Sequence, residues 1–210
     1  MKKWLIVVVL LAAMVVSYNW LANTQIKPTI EEAVKPPPQV PQKKATMTPG
    51  RVVELHTTKG EIDFVLFEKD CPKSTKRIAD LAKEGSYNGV KFERVVPNLL
   101  IQTALAKTKK PINTIPRELA DGLTNTKGAV GMARKKPVNS AVSVFYILIE
   151  PMPHLDYDYA VFGRVIRGMD VITSIKKNDT IKYAKVRPMT GADRKAFGKV
   201  LEIESERRVN

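Results

Sequence analysis

Short runs of β-branched and aromatic residues, separated by turn-forming residues, follow one another from Arg51 almost to the end of the 210-residue chain. Residues of these types favour strands, and many short strands in succession are typical of barrels and sandwiches. Closure into a barrel would also remove the exposed strand edges. The predicted strands are 52–57, 62–67, 90–96, 99–104, 129–133, 144–149, 160–165 and 200–203.

Two segments of the same region have helical rather than strand periodicity. Ile78, Leu81 and Ala82 recur on one helix face, with Pro72 suited to the first turn and Gly85 to the end. We therefore predict a helix over 72–83 and a second, shorter helix over 169–176.

The amino-terminal residues, 1–22, predict a membrane anchor or a signal peptide. Two lysines precede an apolar run from Trp4 that continues, more weakly, to Ala22. About 20 apolar residues span a bilayer, so an uncleaved anchor is feasible, and a cleaved leader with a site near Ser17 is the alternative. The lysines favour a cytoplasmic amino end. The expected location is the cell membrane, single-pass with the folded domain outside the cytoplasm, or secreted or periplasmic if the leader is cleaved.

A proline-rich linker is predicted over 23–50, where six prolines stand among polar residues. Such a stretch buries too little apolar surface to offset its ordering entropy and favours extended polyproline II. One folded domain, 51–205, follows it and ends in a short tail, 206–210. The chain length suits one full-sized domain and not two.

The net charge of +14, from 35 Lys and Arg against 21 Asp and Glu, favours contact with polyanions. The lysines are scattered through loops without a nucleic-acid motif or aromatic residues spaced to stack on bases. We therefore expect a basic solvated surface and no specific nucleic-acid partner.

The residue inventory excludes several classes of chemistry. His56 and His154 are the chain's two histidines and Cys71 is its one cysteine, so neither a zinc site nor a Cys-His pair is credible. Phosphate-binding glycine loops and nucleophile elbows are also missing from the sequence. We expect no metal and no cofactor, and we expect Cys71 to be a small buried apolar residue.

Several stretches, in the same order, resemble the signature motifs of cyclophilins. The first contains Phe92-Glu93-Arg94-Val95-Val96-Pro97 and leads through an apolar pair to Gln102. The further matching stretches are 128–134, 139–147, 154–165 and 168–171. The resemblance covers Arg51 to about Ile203, which is the whole predicted domain, and ordered motifs of this kind are hard to meet by chance.

The resemblance implies a closed eight-stranded antiparallel β-barrel capped by two α-helices, with its site in a groove on the outer face. It implies that Arg94 is the catalytic residue and Gln102 its polar neighbour. The substrate-binding residues that it implies are Leu99, Leu100, Tyr146 and Leu155 in a proline pocket, Ala133 and Arg134 beside the preceding residues, Val144 along the groove, and His154 and Tyr159 at the rim.

The implied activity is cofactor-independent cis-trans isomerisation of X-Pro bonds. The implied partners are proline-containing segments of exported or unfolded client proteins, and the protein is expected to be a monomer. Where the family usually has Gly-Gly-Asp after the glutamine, this chain has Thr103-Ala104-Leu105, and Val144 stands in place of a glutamine. Leu99 and Tyr146 stand where phenylalanine is usual. These departures favour an altered substrate preference, and they motivate an alternative in which a catalytically weakened barrel serves as a binding or scaffold module at the cell envelope.

Overall fold

A computed structural model describes residues 43–209 of the chain. Within these residues the chain forms ten strands, three α-helices and a short 3-10 helix. The strands are β1 Lys43–Lys44, β2 Val52–Thr57, β3 Glu61–Leu66, β4 Val90–Val96, β5 Leu100–Thr103, β6 Ala120–Asp121, β7 Ala129–Met132, β8 Phe145–Leu148, β9 Val161–Arg167 and β10 Thr180–Arg187. The helices are α1 Pro72–Lys83, the 3-10 helix Pro153–Leu155, α2 Met169–Ser174 and α3 Gly191–Val209.

Eight of the strands close into a barrel in the order β10-β2-β3-β9-β7-β8-β5-β4. Every neighbouring pair in the barrel is antiparallel, and β10 joins β4 where Ile181 lies opposite Val90. Closure pairs the backbone groups that an open sheet would leave at its edges. The predicted closed eight-stranded antiparallel barrel is confirmed.

Aromatic side chains fill the interior of the barrel. The ring of Phe64 lies 5.9 Å from that of Phe145 and 6.4 Å from that of Phe162, and Tyr87 contacts Phe145 edge-on at 5.5 Å. Tilted and edge-on contacts of this kind are the favoured geometries of aromatic pairs. The outer face of the barrel is therefore left for binding, because its inside is packed.

Helix α1 has the predicted bounds and closes one end of the barrel with its apolar face. Ile78 and Leu81 are buried, Pro72 occupies the first turn, and Gly85 follows the helix with a φ of +71°. Helix α2 begins as predicted at Met169 and ends two residues earlier than predicted, at Ser174.

The prediction of a strand at 200–203 is wrong, because Val200 and Ile203 belong to α3. A four-residue apolar run fits a buried strand and a turn of helix equally well, so the local pattern did not distinguish them. The eighth barrel strand is instead β10, which the sequence analysis missed. A register irregularity between Ile181 and Tyr183 puts the buried residues Ile181 and Ala184 three positions apart, which breaks the alternation expected of a strand.

The end of the predicted linker packs against segments that connect the barrel strands. Lys43 and Lys44 pair in parallel with β6, and the Asp70 carboxylate accepts hydrogen bonds from the backbone of Thr46 at 2.9 Å and of Met47 at 3.1 Å. Residues 1–22 and the linker up to residue 42 lie outside the described residues, so the domain boundaries remain predictions. Among residues 43–209, no helix combines the length and the apolar character needed to cross a bilayer.

Candidate active site

Strand register places three of the implied site residues in one row across four strands. Arg94 of β4 lies opposite Gln102 of β5, Gln102 lies opposite Tyr146 of β8, and Tyr146 lies opposite Gly131 of β7. Neighbouring strands are about 4.8 Å apart, so the row is about 15 Å long. This length suits a short extended peptide lying across the strands.

A β-bulge in β4 turns Arg94 to the outer face of the barrel. Phe92 lies opposite Thr103 and Arg94 opposite Gln102, so Glu93 is an extra residue without a counterpart on β5. In a regular strand Phe92 and Arg94 would point to the same side. With the extra residue, Phe92 is fully buried in the core while Glu93 and Arg94 are both exposed. Bulges often re-aim side chains in this way next to functional sites.

The polar groups of Arg94 and Gln102 are available to a ligand. Among the side chains described, the Arg94 guanidinium and the Gln102 amide make no hydrogen bond or ion pair with another residue of the chain. Arg94 is exposed and Gln102 is half-buried. A peptide lying along the row would thus contact a rigid guanidinium and an amide, both with free N–H donors.

Apolar side chains flank this row at the position implied for a proline pocket. Leu100 lies two residues before Gln102 on the same face of β5 and is buried, as is Tyr146. Leu99, just before β5, and Leu155, in the 3-10 helix, are half-buried. Leu100 and Tyr146 therefore lie next to Gln102 in the barrel wall, and Leu99 and Leu155 lie in flanking segments.

The Tyr146 hydroxyl bonds to Asn125, which Asp156 holds in place, and the sequence analysis identified neither residue. It donates to Asn125 Oδ1 at 2.6 Å, and the Asn125 side-chain amide and backbone N–H both donate to Asp156 Oδ1, at 3.0 and 2.6 Å. A β-carbon at Gly131 would overlap the phenol ring, so only glycine fits beneath it. Burial raises the pKa of Tyr146, with smaller contributions from Tyr159 and Asp156, which keeps the phenol a neutral donor.

The rim residues differ in their surroundings. Tyr159 packs edge-on against Tyr146 with ring centroids 6.1 Å apart, and the Arg134 guanidinium lies 4.7 Å from the Tyr159 ring centre. Arg134 also forms a 2.7 Å ion pair with Asp158, so its charge is already paired within the protein. His154 is exposed in the 3-10 helix and makes no hydrogen bond with another described side chain.

A second hollow, which we call the side groove, adjoins the row on the side of Val144. It has a volume of about 230 Å³ and brings together four implied substrate-binding residues from three strands and their loops. Its lining residues are Gln102, Leu105, Ala133, Arg134, Lys135, Ser140, Val142 and Val144. Asn125 gave no local signal in the sequence, because its role arises from contact with Tyr146, which is distant in the chain.

The arrangement is suited to binding and to electrostatic stabilisation rather than to covalent chemistry. Cys71 is fully buried, as expected, and burial raises the pKa of its thiol, which makes it a poor nucleophile. The row itself contains an arginine, an amide and a phenol whose hydroxyl is already bonded. Such groups can hold a peptide and donate hydrogen bonds to an atom that gains electron density.

Comparison with known families points in the same direction. Residues 52–203 match the family model described as cyclophilin type peptidyl-prolyl cis-trans isomerase/CLD. A peptidyl-prolyl cis-trans isomerase of Acinetobacter baylyi is 38% identical over 141 residues, which is 63% of this chain and 75% of that protein. Peptidyl-prolyl cis-trans isomerase B of Escherichia coli K12 is 33% identical over 140 residues, or 60% of this chain and 84% of that protein.

Solved structures show the same fold at lower identity. A cyclophilin-type peptidyl-prolyl cis-trans isomerase of Cryptosporidium parvum superposes with a TM-score of 0.61 at 24% identity, covering 67% of this chain and 99% of that one. The same protein in the presence of the dipeptide Ala-Pro gives a TM-score of 0.55. The cyclophilin AquaCyp293 of Hirschia baltica gives 0.58 at 18% identity, covering 64% and 76% of the two chains.

Proposed function

Since this chain belongs to the family of cyclophilin-type peptidyl-prolyl cis-trans isomerases, we propose that it twists X-Pro bonds of exported or unfolded proteins with Arg94 as the catalytic residue. Membership of this family makes the chain a peptidyl-prolyl cis-trans isomerase. The observation that carries the proposal is the outward-facing, unpaired Arg94 beside Gln102 and an apolar surface.

Isomerisation of an X-Pro bond requires the loss of amide resonance. The barrier is close to 20 kcal/mol, and the uncatalysed step takes tens of seconds or longer. In the twisted transition state the prolyl nitrogen becomes pyramidal and gains a lone pair. A donor fixed near that nitrogen therefore binds the transition state better than either planar ground state, which is the requirement for catalysis.

Arg94 meets this requirement by charge and by position. Its guanidinium has a rigid geometry and a permanent positive charge. Since it pairs with no other described residue, no partner has to be displaced when a substrate binds. The bulge at Glu93 directs it outward, next to the Gln102 amide, which we assign to the backbone of the substrate. The guanidinium then donates to the prolyl nitrogen as the imide bond turns.

The apolar residues beside the row hold the pyrrolidine ring of the substrate in place during isomerisation. We assign the pyrrolidine ring to the surface formed by Leu99, Leu100, Tyr146 and Leu155, with His154 and Tyr159 at its rim. While the ring is held, the acyl side of the bond rotates. A gain of about a millionfold corresponds to about 8 kcal/mol, which positioning together with one directed charge can supply.

We further infer that the enzyme works outside the cytoplasm as a monomer on client proteins. The support is the apolar run within residues 1–22, preceded by lysines and followed by a proline-rich segment. The leader holds the domain at the membrane, or releases it if it is cleaved. Clients reaching that compartment are unfolded on arrival and present accessible X-Pro bonds.

The test of the mechanism is a protease-coupled assay of the full-length chain on a short X-Pro peptide. We expect Arg94→Ala to lower kcat/KM by about 100-fold, the usual effect of removing one transition-state donor. Arg94→Lys, which keeps the charge and loses the planar fork, should fall between the parent and Arg94→Ala. Arg194→Ala changes an exposed arginine of α3 and is the matched control, with parental activity expected.

Equal rates for the parent and Arg94→Ala would exclude Arg94 from catalysis. Peptide binding without any turnover would favour the alternative function, a binding or scaffold module on the same barrel. Leu105 and Val144, two departures from the family pattern, both line the side groove, and this observation supports the alternative.

A further inference from the structure

A cavity of about 330 Å³, which we call the helix cavity, lies between the second half of α3 and the barrel. Its wall combines residues of α3 with residues in or beside β7, β9 and α2. The lining residues are Thr126, Lys127, Gly128, Pro151, Val165, Met169, Val200, Ile203 and Glu204. They include no member of the row that contains Arg94, so the helix cavity is separate from the candidate active site.

The helix cavity exists because α3 packs closely on the barrel only in its first half. The Phe197 ring is 6% exposed and contacts that of Phe67, with centroids 6.0 Å apart. Val200 is half-buried, and Ile203 is 51% exposed although it is apolar. The described side chains of α3 therefore leave space beneath its second half. Spaces of this size are uncommon in proteins, whose interiors are closely packed.

Two polar lining residues, Thr126 and Glu204, are engaged within the protein. Glu204 Oε1 accepts the Thr126 hydroxyl at 2.6 Å and pairs with the Arg164 guanidinium at 2.8 Å. Arg164 is 2% exposed and also donates to the Thr126 hydroxyl. Since these groups bond to one another, the surface that a ligand would contact is mainly aliphatic, with the thioether of Met169 as its most adaptable part.

Lysine side chains stand at the edge of the helix cavity. Lys127 is 39% exposed and pairs with Glu150 at 3.4 Å, which leaves ammonium N–H donors free. Lys199 precedes Ile203 by four residues on α3, so the two side chains are neighbours on one face of the helix. Lys199 is exposed and pairs with no other described side chain. Because Glu150 and Glu204 already have cationic partners, Lys199 gives this edge an excess positive charge.

An apolar cavity with a cationic edge suits an alkyl chain that carries a carboxylate. Pockets for small ligands are mostly apolar, begin at about 300 Å³ and contain a few polar groups that fix orientation. The described lining residues include no aromatic ring on which a flat ligand could stack. At about 30 Å³ for a group the size of a water molecule, the volume holds about eleven such groups, and a methylene is of similar size.

We propose that the helix cavity binds a free medium-chain fatty acid, with the alkyl chain beneath α3 and the carboxylate at Lys127 and Lys199. The volume suits one chain of about twelve carbons and not the two chains of a phospholipid. The bound chain replaces water between α3 and the barrel and thereby holds the second half of the helix in place. This site goes beyond the proposed function and does not depend on it.

The experiment is calorimetric titration of the full-length chain with octanoate, decanoate, dodecanoate and tetradecanoate, each kept below its micellar concentration. We expect the affinity to rise by about fourfold for each added methylene up to dodecanoate and by less than about twofold beyond it. Decyltrimethylammonium, which has a cationic head group, should bind at least about tenfold more weakly than decanoate. The absence of saturable binding, an undiminished gain from dodecanoate to tetradecanoate, or equal affinity for both head groups would overturn the proposal.

Variants at exposed positions assign the binding to the helix cavity. Ile203→Asp puts a carboxylate in the wall and should weaken decanoate binding by at least about tenfold. Lys199→Gln should weaken it by about threefold, the effect of one exposed charge. Val138→Asp and Lys182→Gln are the matched controls, since both residues are exposed and neither lines the cavity, and both should keep the parental affinity. Parental affinity in Ile203→Asp would contradict the assignment.

Competition separates this site from the isomerase site. A saturating X-Pro peptide should leave the affinity for decanoate unchanged, because the two ligands occupy different parts of the barrel. Displacement of decanoate by the peptide would place the fatty acid at the candidate active site and would reject the helix cavity as its binding site. The titration gives its result whether or not the chain isomerises the peptide, so failure of one proposal is distinguishable from failure of the other.

Discussion

Among single residues, Glu93 and Asn125 shape the candidate site in ways that the sequence motifs do not reveal. Glu93, the extra residue of a bulge, decides which way Arg94 points. Asn125, only 1% exposed, accepts the hydrogen bond of the Tyr146 hydroxyl and donates to Asp156. We regard Asn125 as a positioning residue, because it acts through the tyrosine ring and not on the substrate.

Asn125→Ala tests this role. The change leaves the buried Tyr146 hydroxyl without its partner, so we expect a loss of about 2 kcal/mol in the free energy of unfolding. Because the ring is no longer held, KM for an X-Pro peptide should rise severalfold while kcat stays within about twofold, since Arg94 is untouched. Urea denaturation and steady-state kinetics provide the two measurements.

The control for this variant is Asn88→Ala, at an exposed asparagine, which should affect neither quantity. A loss of stability with an unchanged KM would show that the Asn125 network is structural only.

At the level of elements, α3 is attached to the barrel by an ion cluster around a buried carboxylate. The Asp193 carboxylate, with no exposed surface, pairs with Arg187 at 2.5 Å and Arg167 at 2.6 Å. It also accepts the backbone N–H of Thr190 at 2.7 Å, which caps the first turn of the helix. The hydrogen bond from Arg187 is the main cause that lowers the pKa of Asp193, and burial opposes it.

Asp63, which shares Arg167 with this cluster, shifts in the opposite direction. Burial raises its pKa and outweighs the lowering effect of Arg167. The ionised form of Asp63 is therefore less favourable in the folded state than in the unfolded chain, and its contribution opposes folding above its folded pKa. The contributions of Asp193 and Asp63 to the free energy of unfolding therefore change with pH in opposite directions.

Asp193→Asn should weaken the attachment of α3 in a pH-dependent way. We expect a loss of about 3 kcal/mol at pH 7, because two arginines lose a buried partner. A lowered folded pKa gives stability that is complete above the unfolded value, about 3.9, and that declines as the pH falls below it. The gap between parent and variant should therefore be smaller at pH 3 than at pH 7 in urea denaturation.

Asp170→Asn, at an exposed aspartate in the first turn of α2, is the matched control and should show little change at either pH. If Asp193→Asn were equally stable at pH 7, or if its deficit grew on acidification, the attachment would not depend on the ionised carboxylate.

At the scale of the whole molecule, the chain combines a closed barrel with an apolar amino-terminal segment. We expect the full-length chain, expressed with a carboxy-terminal tag in a bacterium, to remain with the membranes after an alkaline wash. Its barrel should be accessible to protease added to spheroplasts. A version that starts at residue 23 should be soluble in the cytoplasm.

A shorter mature chain found outside the cytoplasm would show that the leader is cleaved and the domain released from the membrane. Recovery of the full-length chain in the soluble cytoplasmic fraction would refute export in both forms.

Local sequence patterns predict the class of fold, the family and most strands. β-branched runs such as Val52–Thr57, and a helix with proline in its first turn and glycine after it, are local patterns with local causes. The stretch from Phe92 to Gln102 likewise identifies its family because the residues that carry the resemblance are close together in the chain. Such features can be predicted because they depend on periodicity and on backbone preference.

Features that depend on strand register and on barrel closure cannot be read from local patterns. A register irregularity in β10 breaks the alternation of the strand that completes the barrel, and the apolar run 200–203, which fits a strand locally, belongs to α3. Leu105 and Val144 meet in one groove, and Asn125 reaches Tyr146, only because the barrel closes. The physical reason is that a strand register couples residues far apart in sequence, and a shift of one position moves a side chain to the opposite face.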